Sequence, residues 1–251
     1  DITFDGAEPR AVESDIRGAL PDMRVDLFAG PSQGRRKRLL LADMDATIVT
    51  SETLDDLAAR AGLKDQIAAI TARAMNGELE FETALRERVG MLSGLAETAL
   101  AETYAETRMS PGAAVLVRTM RVHGAYCVLV SGGFTYFTSR IAQACGFHEN
   151  QANHLDIVNK TLTGKVLEPI LGKEAKLATL IRLISERGLA TSETAAIGDG
   201  ANDIPMLQTA GLGVAYQGKP VVTNAALARI DYTDLRTLLF YQGYRNADFA
   251  S

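Results

Sequence analysis

The chain has 251 residues, of which 47% are hydrophobic and 23% are charged, and its formal net charge at pH 7 is -5. A chain of this length can bury a sizeable core, as one large domain or as two smaller ones. The negative charge argues against nucleic acid as a partner, because no basic field would attract phosphate backbones, and the lack of an apolar run of roughly 20 residues argues against a membrane span.

The cysteines and the first residues bear on the cellular compartment. Cys127 lies in an apolar, strand-like run and Cys145 lies near a helix end, which is typical of structural free thiols in a reducing compartment. The first residues do not show the basic and then apolar pattern of a secretory signal. We therefore expect a cytoplasmic protein.

The N-terminal 34 residues predict a small unit of their own. Their pattern indicates a strand at 2–4, a helix at 9–20 and a strand at 24–28. Such a β-α-β unit, residues 1–34, is too short to fold alone, so we interpret it as a remnant or part of a small α+β module packed on the rest of the chain. The run Arg35-Arg36-Lys37-Arg38 is either a nucleic-acid or targeting patch or, as its place before a strand favours, a linker.

The stretch at 39–47, Leu-Leu-Leu-Ala-Asp-Met-Asp-Ala-Thr, is typical of a buried parallel strand that ends in a ligand cleft. In a pleated strand, residues i and i+2 point to the same face, so Asp43 and Asp45 converge unless the chain turns between them. Two carboxylates at such a short distance from each other need a cation or a proton to reduce their repulsion. Asp43 and Asp45 are therefore the first candidate site residues.

After Asp45, apolar residues recur with helical spacing for about sixty residues. Four helices are predicted, at 52–61, 64–76, 80–92 and 96–107. Their insertion directly after the candidate strand predicts a four-helix cap, or lid, at residues 50–108. The catalytic core then comprises residues 35–49 and 109–251.

Strands and helices alternate in the rest of the chain. The predicted elements are strands at 125–130, 194–197, 212–216 and 228–230, a hairpin at 153–170 that turns around 161–164, and a helix at 172–188. This alternation implies an α/β fold, with a Rossmann-like parallel sheet covered by helices on both faces. Ligands bind such sheets beyond the carboxyl ends of the strands, where Asp43, Ser131 and Asp199 are expected.

The polar residues at these strand ends fit a divalent metal and a phosphate. The carboxylate oxygens that Mg²⁺ prefers would come from four acids, Asp43, Asp45, Asp199 and Asp203. Without a cation these acids would repel one another, and some would have to take up protons. Donors and positive charge for phosphate oxygens would come from Ser131, the N–H group of Gly132 and Lys176.

These residues also carry a family resemblance. The four motifs of the haloacid dehalogenase-like phosphohydrolases resemble, in order, Asp43-Met-Asp-Ala-Thr47, Val130-Ser131-Gly132-Gly133, Lys176 and Gly198-Asp199-Gly-Ala-Asn-Asp203. The segments between them look like those of the phosphoserine phosphatases: Ser51-Glu52-Thr53, Ala74-Met75-Asn76-Gly77, Phe81 and Leu85-Arg86-Glu87-Arg88-Val89. The resemblance covers about residues 38–240. It departs at Ala46, where the family commonly has serine, so one hydroxyl is missing there.

The resemblance implies an enzyme, a Mg²⁺-dependent phosphoric monoester hydrolase. It would convert O-phospho-L-serine to L-serine and phosphate through an aspartyl phosphate, in the last step of serine biosynthesis. Asp43 would be the nucleophile and a metal ligand, and with an ordinary pKa near 4 it would be ionised without a base. Asp45 would protonate the leaving oxygen and later deprotonate the attacking water, which requires a raised pKa.

The remaining roles follow from the same resemblance. Asp199 resembles the side-chain metal ligand, Asp203 the residue that supports metal-bound water, and Asn202 a phosphate-side or orienting residue. Lys176 resembles the lysine that neutralises phosphoryl charge. The residues that match the substrate-binding positions of the lid are Glu52 for the amino group, Arg88 for the carboxylate, and Met75 and Phe81.

Several alternatives stay open at this point. A related phosphatase or phosphotransferase could act on another small phosphomonoester such as phosphohomoserine, although Glu52 and Arg88 together complement both charges of an amino acid. A phosphate-accepting signalling domain also uses an aspartate, Mg²⁺ and a lysine, but it needs neither Asp45 nor a lid. Residues 1–34 could belong to a ligand-sensing module, and a homodimer is left open.

Overall fold

A mostly parallel sheet forms the centre of the computed structural model, which describes residues 1–75, 78–172 and 174–250, without the side chains of residues 72, 74 and 75. The strands are β1 (Leu39–Ala42), β2 (Tyr126–Phe134), β3 (Glu149–Val158), β4 (Thr161–Leu167), β5 (Thr194–Gly198), β6 (Leu212–Tyr216) and β7 (Ala228–Ile230). Their order in the sheet is β4-β3-β2-β1-β5-β6-β7, and all neighbours are parallel except β3 and β4, which form an antiparallel hairpin. The predicted α/β fold is confirmed.

Helices occupy most of the chain between the strands. They are α1 (Pro9–Ala19), α2 (Thr53–Arg60), α3 (Lys64–Met75), α4 (Phe81–Gly90), α5 (Thr98–Glu106), α6 (Ala113–Val122), α7 (Thr135–Cys145), α8 (Glu174–Arg187), α9 (Ile204–Thr209), α10 (Pro220–Ala225) and α11 (Thr237–Tyr241). Within the ranges described, none of them is both long and apolar enough to cross a bilayer.

The side chains of β1 are buried on both faces of the sheet, as expected for a central parallel strand. Leu39 and Leu41 pack with Leu180 of α8 on one face. Leu40 packs on the other face with Leu116 of α6 and with α7. Each fully buried leucine contributes about 1.5–3 kcal/mol to folding, so two apolar cores hold β1 in the middle of the sheet.

The chain changes direction across the sheet at β1. It runs outward from β1 to β2 and β3 on one side, then returns to β5 and runs outward to β6 and β7 on the other. Ligands bind parallel sheets at such a reversal, beyond the carboxyl ends of the strands. Asp43 follows β1 and Asp199 follows β5 at this edge.

The β3–β4 hairpin is confirmed, but its predicted turn at 161–164 is wrong. The register pairs Val158 with Thr161, so the turn consists of Asn159 and Lys160. Both turn residues have positive φ, 51° and 61°. A two-residue turn with positive φ at both positions matches the twist of the strands it joins, and asparagine tolerates that conformation well.

The N-terminal β-α-β prediction is only partly correct, because the structure forms α1 but neither flanking strand. A strand needs a partner for its backbone, and an isolated pair of strands is marginal in water. Residues 24–28 instead attach to the core through side chains. The Asp26 carboxylate accepts hydrogen bonds from the backbone N–H groups of residues 231–233, and the ring of Phe28 lies 5.2 Å from that of Tyr241.

The basic run before β1 is bound to the body of the protein, which supports the linker interpretation. All four side chains have partners elsewhere in the chain. Arg35 forms an ion pair with Asp1, Arg36 with Asp248 and Arg38 with Glu193. Lys37 donates hydrogen bonds to the carbonyls of Gly34 and Ser192. These exposed pairs each contribute little stability. Each of the four cations nevertheless has a partner within the chain.

The four predicted helices between β1 and β2 are present as α2 to α5. The two chain segments that enter and leave them run side by side. Thr50 N–H donates to the Arg108 carbonyl at 3.0 Å, and Ser110 N–H donates to the Ile48 carbonyl at 2.9 Å. The division of the chain into a cap and a core stays a prediction.

A second attachment joins the helical segment to the β3–β4 hairpin. The backbone hydrogen bonds run from Gly94 N–H to the Leu162 carbonyl, from Leu162 N–H to the Leu95 carbonyl and from Glu97 N–H to the Lys160 carbonyl, each at 2.9 Å. Arg86 of α4 also pairs with Glu168 just after β4. The end of the segment that contains α4 and α5 is therefore fastened to the sheet.

Candidate active site

The carboxylate of Asp43 lies at the carboxyl end of β1 and is almost completely buried. Its Oδ1 accepts a hydrogen bond from Met44 N–H at 2.8 Å and lies 2.7 Å from Lys176 Nζ. Burial, and after it the charge of Asp203, raises the pKa of Asp43 well above its usual range, while Lys176 opposes this shift. An ionised Asp43 therefore depends on positive charge beside it, which the sequence expectation of an ordinary pKa did not include.

Lys176 lies on α8 and joins two acids that come from different strand ends. Its ammonium is 2.7 Å from Asp43 Oδ1 and 2.5 Å from Asp203 Oδ1, and all three side chains are buried. Burial disfavours the ammonium, but Asp203 and Asp43 outweigh that cost and raise the pKa of Lys176. Although a lysine on an amphipathic helix is ordinarily solvated, Lys176 is only 3% exposed.

Asp203 is held in place by the loop after β5. Its Oδ2 accepts a hydrogen bond from Gly200 N–H at 3.0 Å. A Cβ atom on Gly198 would lie 2.4 Å from the Asp203 carboxyl carbon, which is closer than atoms can approach. Only glycine at position 198 therefore lets this carboxylate fold back against the strand end.

Three carboxylates form a group whose geometry fits a divalent cation. Among the described residues, one oxygen from each of Asp43, Asp199 and Asp203 lies within 4.8 Å of the other two. Thr47 Oγ1 donates to Asp199 Oδ1 at 3.0 Å. Burial and the charge of Asp203 raise the pKa of Asp199. The negative charge of the three carboxylates is therefore unfavourable unless a cation balances it. A hard, oxygen-preferring cation such as Mg²⁺ suits such a donor set.

The carboxylate of Asp45, predicted as a fourth metal ligand, is not part of this group. Its Oδ1 accepts from Thr53 N–H at 2.9 Å and its Oδ2 from Ser131 Oγ at 3.2 Å. The two aspartates diverge because β1 ends at Ala42, so the alternation of a pleated strand does not continue to residues 43 to 45. Burial raises the pKa of Asp45, as a proton donor requires, whereas the hydrogen bonds from Thr53 and Ser131 oppose the shift.

Ser131 and Gly132 lie in a bulge of β2 that faces Asp45. Val130 pairs with Gln151 and Phe134 pairs with Asn153, so four steps along β2 oppose two steps along β3. A bulge leaves its residues out of the ladder and re-aims them, which is common beside active sites. Ser131 Oγ accepts from Gly133 N–H at 2.8 Å and donates to Asp45.

Phe81, at the start of α4, reaches from the helical segment to this bulge. A Cβ atom on Gly132 would lie 3.3 Å from the edge of the Phe81 ring, and one on Gly172 would lie 3.8 Å from it. The ring therefore covers the bulge and the segment before α8. The structure brings Phe81 to the candidate phosphate site.

Glu52 immediately precedes α2 and faces the same acidic edge. Loss of hydration, followed by the charges of Asp45 and Asp199, raises the pKa of Glu52 to about 7. Part of its side chain still faces solvent, and nearby Lys219 partly offsets the shift. An acid in this setting gains from a cationic partner, which agrees with the predicted contact to an ammonium group.

Arg88 lies on α4, half-buried within the helical segment. Its Nε donates to the Ala84 carbonyl at 3.3 Å and its Nη1 to Thr71 Oγ1 at 3.5 Å. Burial lowers its pKa, while Asp55 and Glu52 favour its charged form. Arg88 is near enough to Glu52 to feel its charge, but among the described residues the two form no direct ion pair. The Arg88 guanidinium can therefore bind the carboxylate of another molecule.

Two other predicted residues are placed less closely. Asn202 is half-buried, and its Oδ1 folds back over Gly200, where an added Cβ would meet it at 2.3 Å. The side chain of Met75 lies outside the described part of the chain.

Sequence reasoning missed three residues that hold the site together. Thr47 binds Asp199, the Thr53 N–H group binds Asp45, and Asn153 binds the backbone of the bulge. Thr47 was within reach of prediction, since it belongs to the first motif. Asn153 gave no signal, because it is one polar residue in an alternating strand.

A comparison with models of protein families identifies the family whose sequence pattern contains these strand-end residues. The model of the haloacid dehalogenase-like hydrolases matches residues 40–208, from β1 into α9. The chain belongs to the haloacid dehalogenase-like hydrolases. The match contains every strand-end residue described above, from Asp43 to Asp203.

Curated phosphoserine phosphatases resemble the chain over most of its length. The phosphoserine phosphatase of Streptomyces coelicolor is 43% identical over 97% of this chain and 60% of its own length. Phosphoserine phosphatase SerB2 of Mycobacterium tuberculosis is 41% identical over 83% of this chain and 51% of its own. The chain thus spans about half to three fifths of these relatives.

The chain also matches a solved structure of a smaller protein over almost the whole length of that protein. It is a phospho-aspartyl intermediate analogue of phosphoserine phosphatase, with a TM-score of 0.76, 35% identity and coverage of 82% of this chain and 99% of that one.

Proposed function

We propose that the chain is a Mg²⁺-dependent phosphatase that releases L-serine and inorganic phosphate from O-phospho-L-serine. The observation that carries the proposal is the buried Asp43 carboxylate, which is paired with Lys176 and lies beside an Asp45 held by Ser131. The similarity to phosphoserine phosphatases supports the choice of substrate.

The proposed reaction needs two aspartates in different protonation states, one ionised and one protonated. Asp43 attacks phosphorus, and the bond between phosphorus and the seryl oxygen breaks while Asp45 gives that oxygen a proton. Water then attacks the phosphorus of the aspartyl phosphate, Asp45 takes the proton from the water, and the bond to Asp43 breaks. The burial that raises the pKa of Asp45 favours the protonated form that the first step requires.

Charge on the phosphoryl group would be balanced from two sides. Lys176 supplies a buried ammonium and the Gly132 N–H group supplies a hydrogen-bond donor. Ser131 would donate as well once its single hydroxyl proton turns from Asp45 to a phosphoryl oxygen. Asp43, Asp199 and Asp203 would hold Mg²⁺, which when bound supplies positive charge to the phosphoryl oxygens and favours ionised Asp43.

The rest of the substrate would contact the helical segment. Glu52 would accept from the ammonium group and Arg88 would bind the carboxylate with two parallel hydrogen bonds. Phe81 would exclude water from the bulge that carries Ser131. A homodimer and a cytoplasmic location stay predictions.

The direct test is a panel of small phosphomonoesters assayed for phosphate release with Mg²⁺ and with EDTA. We expect hydrolysis of O-phospho-L-serine to disappear in EDTA and to return with added Mg²⁺, because the acidic edge otherwise repels a phosphate dianion. Ca²⁺ should restore activity poorly, since its larger and looser coordination would not hold Asp43 in line with phosphorus. Full turnover in metal-free buffer would contradict the Mg²⁺ proposal, and preference for another ester would contradict the substrate.

Arg88→Ala should depress phosphoserine hydrolysis while leaving p-nitrophenyl phosphate nearly unaffected. The loss of a charged partner from a closed site costs roughly 2 to 5 kcal/mol, or about 30-fold to several thousand-fold in kcat/KM. p-Nitrophenyl phosphate has no carboxylate and does not use this contact. Steady-state kinetics on both substrates measure the ratio.

The matched control for Arg88 is Arg86→Ala, two residues earlier on α4. Arg86 is exposed and pairs with Glu168 rather than with the site. It should lose little activity on either substrate. Equal losses of Arg88→Ala on both substrates would mean that Arg88 only supports the helical segment.

A further inference from the structure

Asn153 lies on β3 directly opposite the bulge of β2, and it is completely buried. Its Nδ2 donates to the Gly132 carbonyl at 2.9 Å and to the Leu171 carbonyl at 3.3 Å, and its Oδ1 accepts from Leu171 N–H at 2.7 Å. The amide orientation is determined by its surroundings, because two carbonyls face one end and an N–H group faces the other. All three bonds go to backbone.

The bond to Gly132 fixes one peptide group from both ends. That peptide joins Gly132 to Gly133: Asn153 binds its carbonyl, and Ser131 Oγ accepts from its N–H. Ser131 Oγ in turn donates to Asp45 Oδ2. An uninterrupted series of hydrogen bonds thus runs from Asn153 to the carboxylate of Asp45, and bonds in such a series strengthen one another.

The bonds to Leu171 connect Asn153 to the other side of the site. Leu171 precedes α8, whose residue Lys176 pairs with Asp43. The ring of Phe81 lies over Gly132 and over Gly172, the neighbour of Leu171. One buried amide therefore joins the two backbone segments that carry Ser131 and Lys176.

We propose that Asn153 is a positioning residue of the phosphate site, which orients the Gly132–Gly133 peptide and, through it, the Ser131 hydroxyl and the Gly132 N–H group. The inference rests on the proposed function, in that it takes Ser131 and Gly132 to be the phosphate contacts. Asn153 itself contacts no reacting atom. The bulge has two glycines and is outside the ladder, so no side-chain packing of its own holds the peptide in one orientation.

An asparagine can do this and an apolar residue cannot. Glycine peptides populate several orientations, and removal of the amide would leave the Gly132 carbonyl and both backbone groups of Leu171 without their partner in a buried place. A shift of about 1 Å in groups that align a substrate costs on the order of 100-fold in rate. The effect should therefore fall on catalysis and on binding of phosphate.

The test compares Asn153→Ala and Asn153→Asp with the control Thr138→Val. Asn153→Asp keeps the shape of the side chain and an acceptor for Leu171, but its ionised carboxylate cannot donate to Gly132. Thr138 is equally buried, and it donates to Asn150 on the same strand at 2.8 Å without touching the bulge. Thermal unfolding establishes that each variant is folded.

Three readouts are taken: hydrogen exchange of the Gly133 amide by NMR, the dissociation constant of inorganic phosphate with Mg²⁺ present, and kcat and KM for O-phospho-L-serine. We expect both Asn153 variants to exchange the Gly133 amide at least about 10-fold faster and to lose on the order of 100-fold in kcat/KM, with weaker phosphate binding. Thr138→Val should change none of these by more than about 3-fold, even where it lowers the unfolding temperature.

Unchanged Gly133 exchange and phosphate binding in folded Asn153 variants would overturn the positioning role. Equal effects of Thr138→Val would overturn it too, and so would failure of both Asn153 variants to fold, since Asn153 would then serve the fold alone. Failure of the proposed function is a separate result. In that case the wild-type protein would not hydrolyse O-phospho-L-serine, while the Gly133 amide would still report on the role of Asn153.

Discussion

Asp43→Asn is expected to abolish hydrolysis of O-phospho-L-serine, with a loss of at least about 10⁴-fold in kcat. The neutral amide keeps the size of the side chain, but it cannot attack phosphorus and form an aspartyl phosphate. It also withdraws one of the two negative charges that pair with Lys176. Phosphate release and borohydride trapping of the acylphosphate, followed by peptide mapping, measure the two consequences.

Asp45→Asn is the informative comparison for that variant. It leaves the nucleophile in place and removes the group that moves protons, so some trappable acylphosphate should form from p-nitrophenyl phosphate, whose leaving group needs no proton, and should hydrolyse slowly. Trapping that marks position 45 in the wild-type protein, rather than position 43, would reverse the two assignments.

Lys176→Met is expected to destabilise the protein as well as inactivate it. The ammonium lies between Asp43 and Asp203, and breaking a buried ion pair by removing one partner costs about 3–5 kcal/mol. Two buried carboxylates would then face each other without the cation. Denaturant unfolding in EDTA, where no metal replaces the lysine, measures the loss in the free energy of unfolding.

The sign of the pH dependence follows from the same geometry. Lys176 opposes the rise that burial causes in the pKa of Asp43, so without Lys176 this pKa would rise further and the folded variant would bind more protons than the unfolded chain does. A carboxyl group whose folded-state pKa is raised makes the protein less stable as the pH rises, so the deficit of Lys176→Met should shrink as the pH falls from neutral toward the unfolded-state pKa of aspartate, about 4. The exposed Lys165→Met of β4 is the control and should stay within about 0.5 kcal/mol of the wild type at every pH. A deficit that is independent of pH would show that packing, not charge, is lost.

The sheet and the positions of the strand-end acids were predictable because buried parallel strands have strong local signals. Leu39–Ala42 is buried throughout, and a glycine-rich turn marks where β5 ends. The glycines of β2 instead form a bulge inside a strand that continues to Phe134, beyond its predicted end at residue 130. Since carboxyl ends of parallel strands meet at one edge, the proximity of Asp43 and Asp199 followed from the fold class. Lys176 was different, because an amphipathic helix does not reveal which of its lysines is buried, and only the family motif identified it.

The features that could not be predicted depend on the exact residue at which a strand ends and on contacts between residues that are distant in the sequence. The strand β1 ends at Ala42, before either aspartate, and no alternation rule applies beyond the end of a strand, so Asp45 lies outside the metal group. Residues 24–28 have a strand pattern but no strand to pair with in the described ranges, so side-chain contacts decide their conformation. The role of Asn153 depends on a bulge whose register only three-dimensional pairing defines.

The backbone hydrogen bonds between residues 94–97 and the β3–β4 hairpin restrict the route by which substrate can reach Asp43. A rotation of α2 to α5 as one body would break three of these bonds at once, at about 0.5–1.5 kcal/mol each. Displacement of α2 and α3 alone leaves all three intact. Entry of the ester and departure of serine and phosphate would then depend on movement of α2 and α3, and the contacts of α2 with α5 and of α3 with α4 would limit the rate of product release.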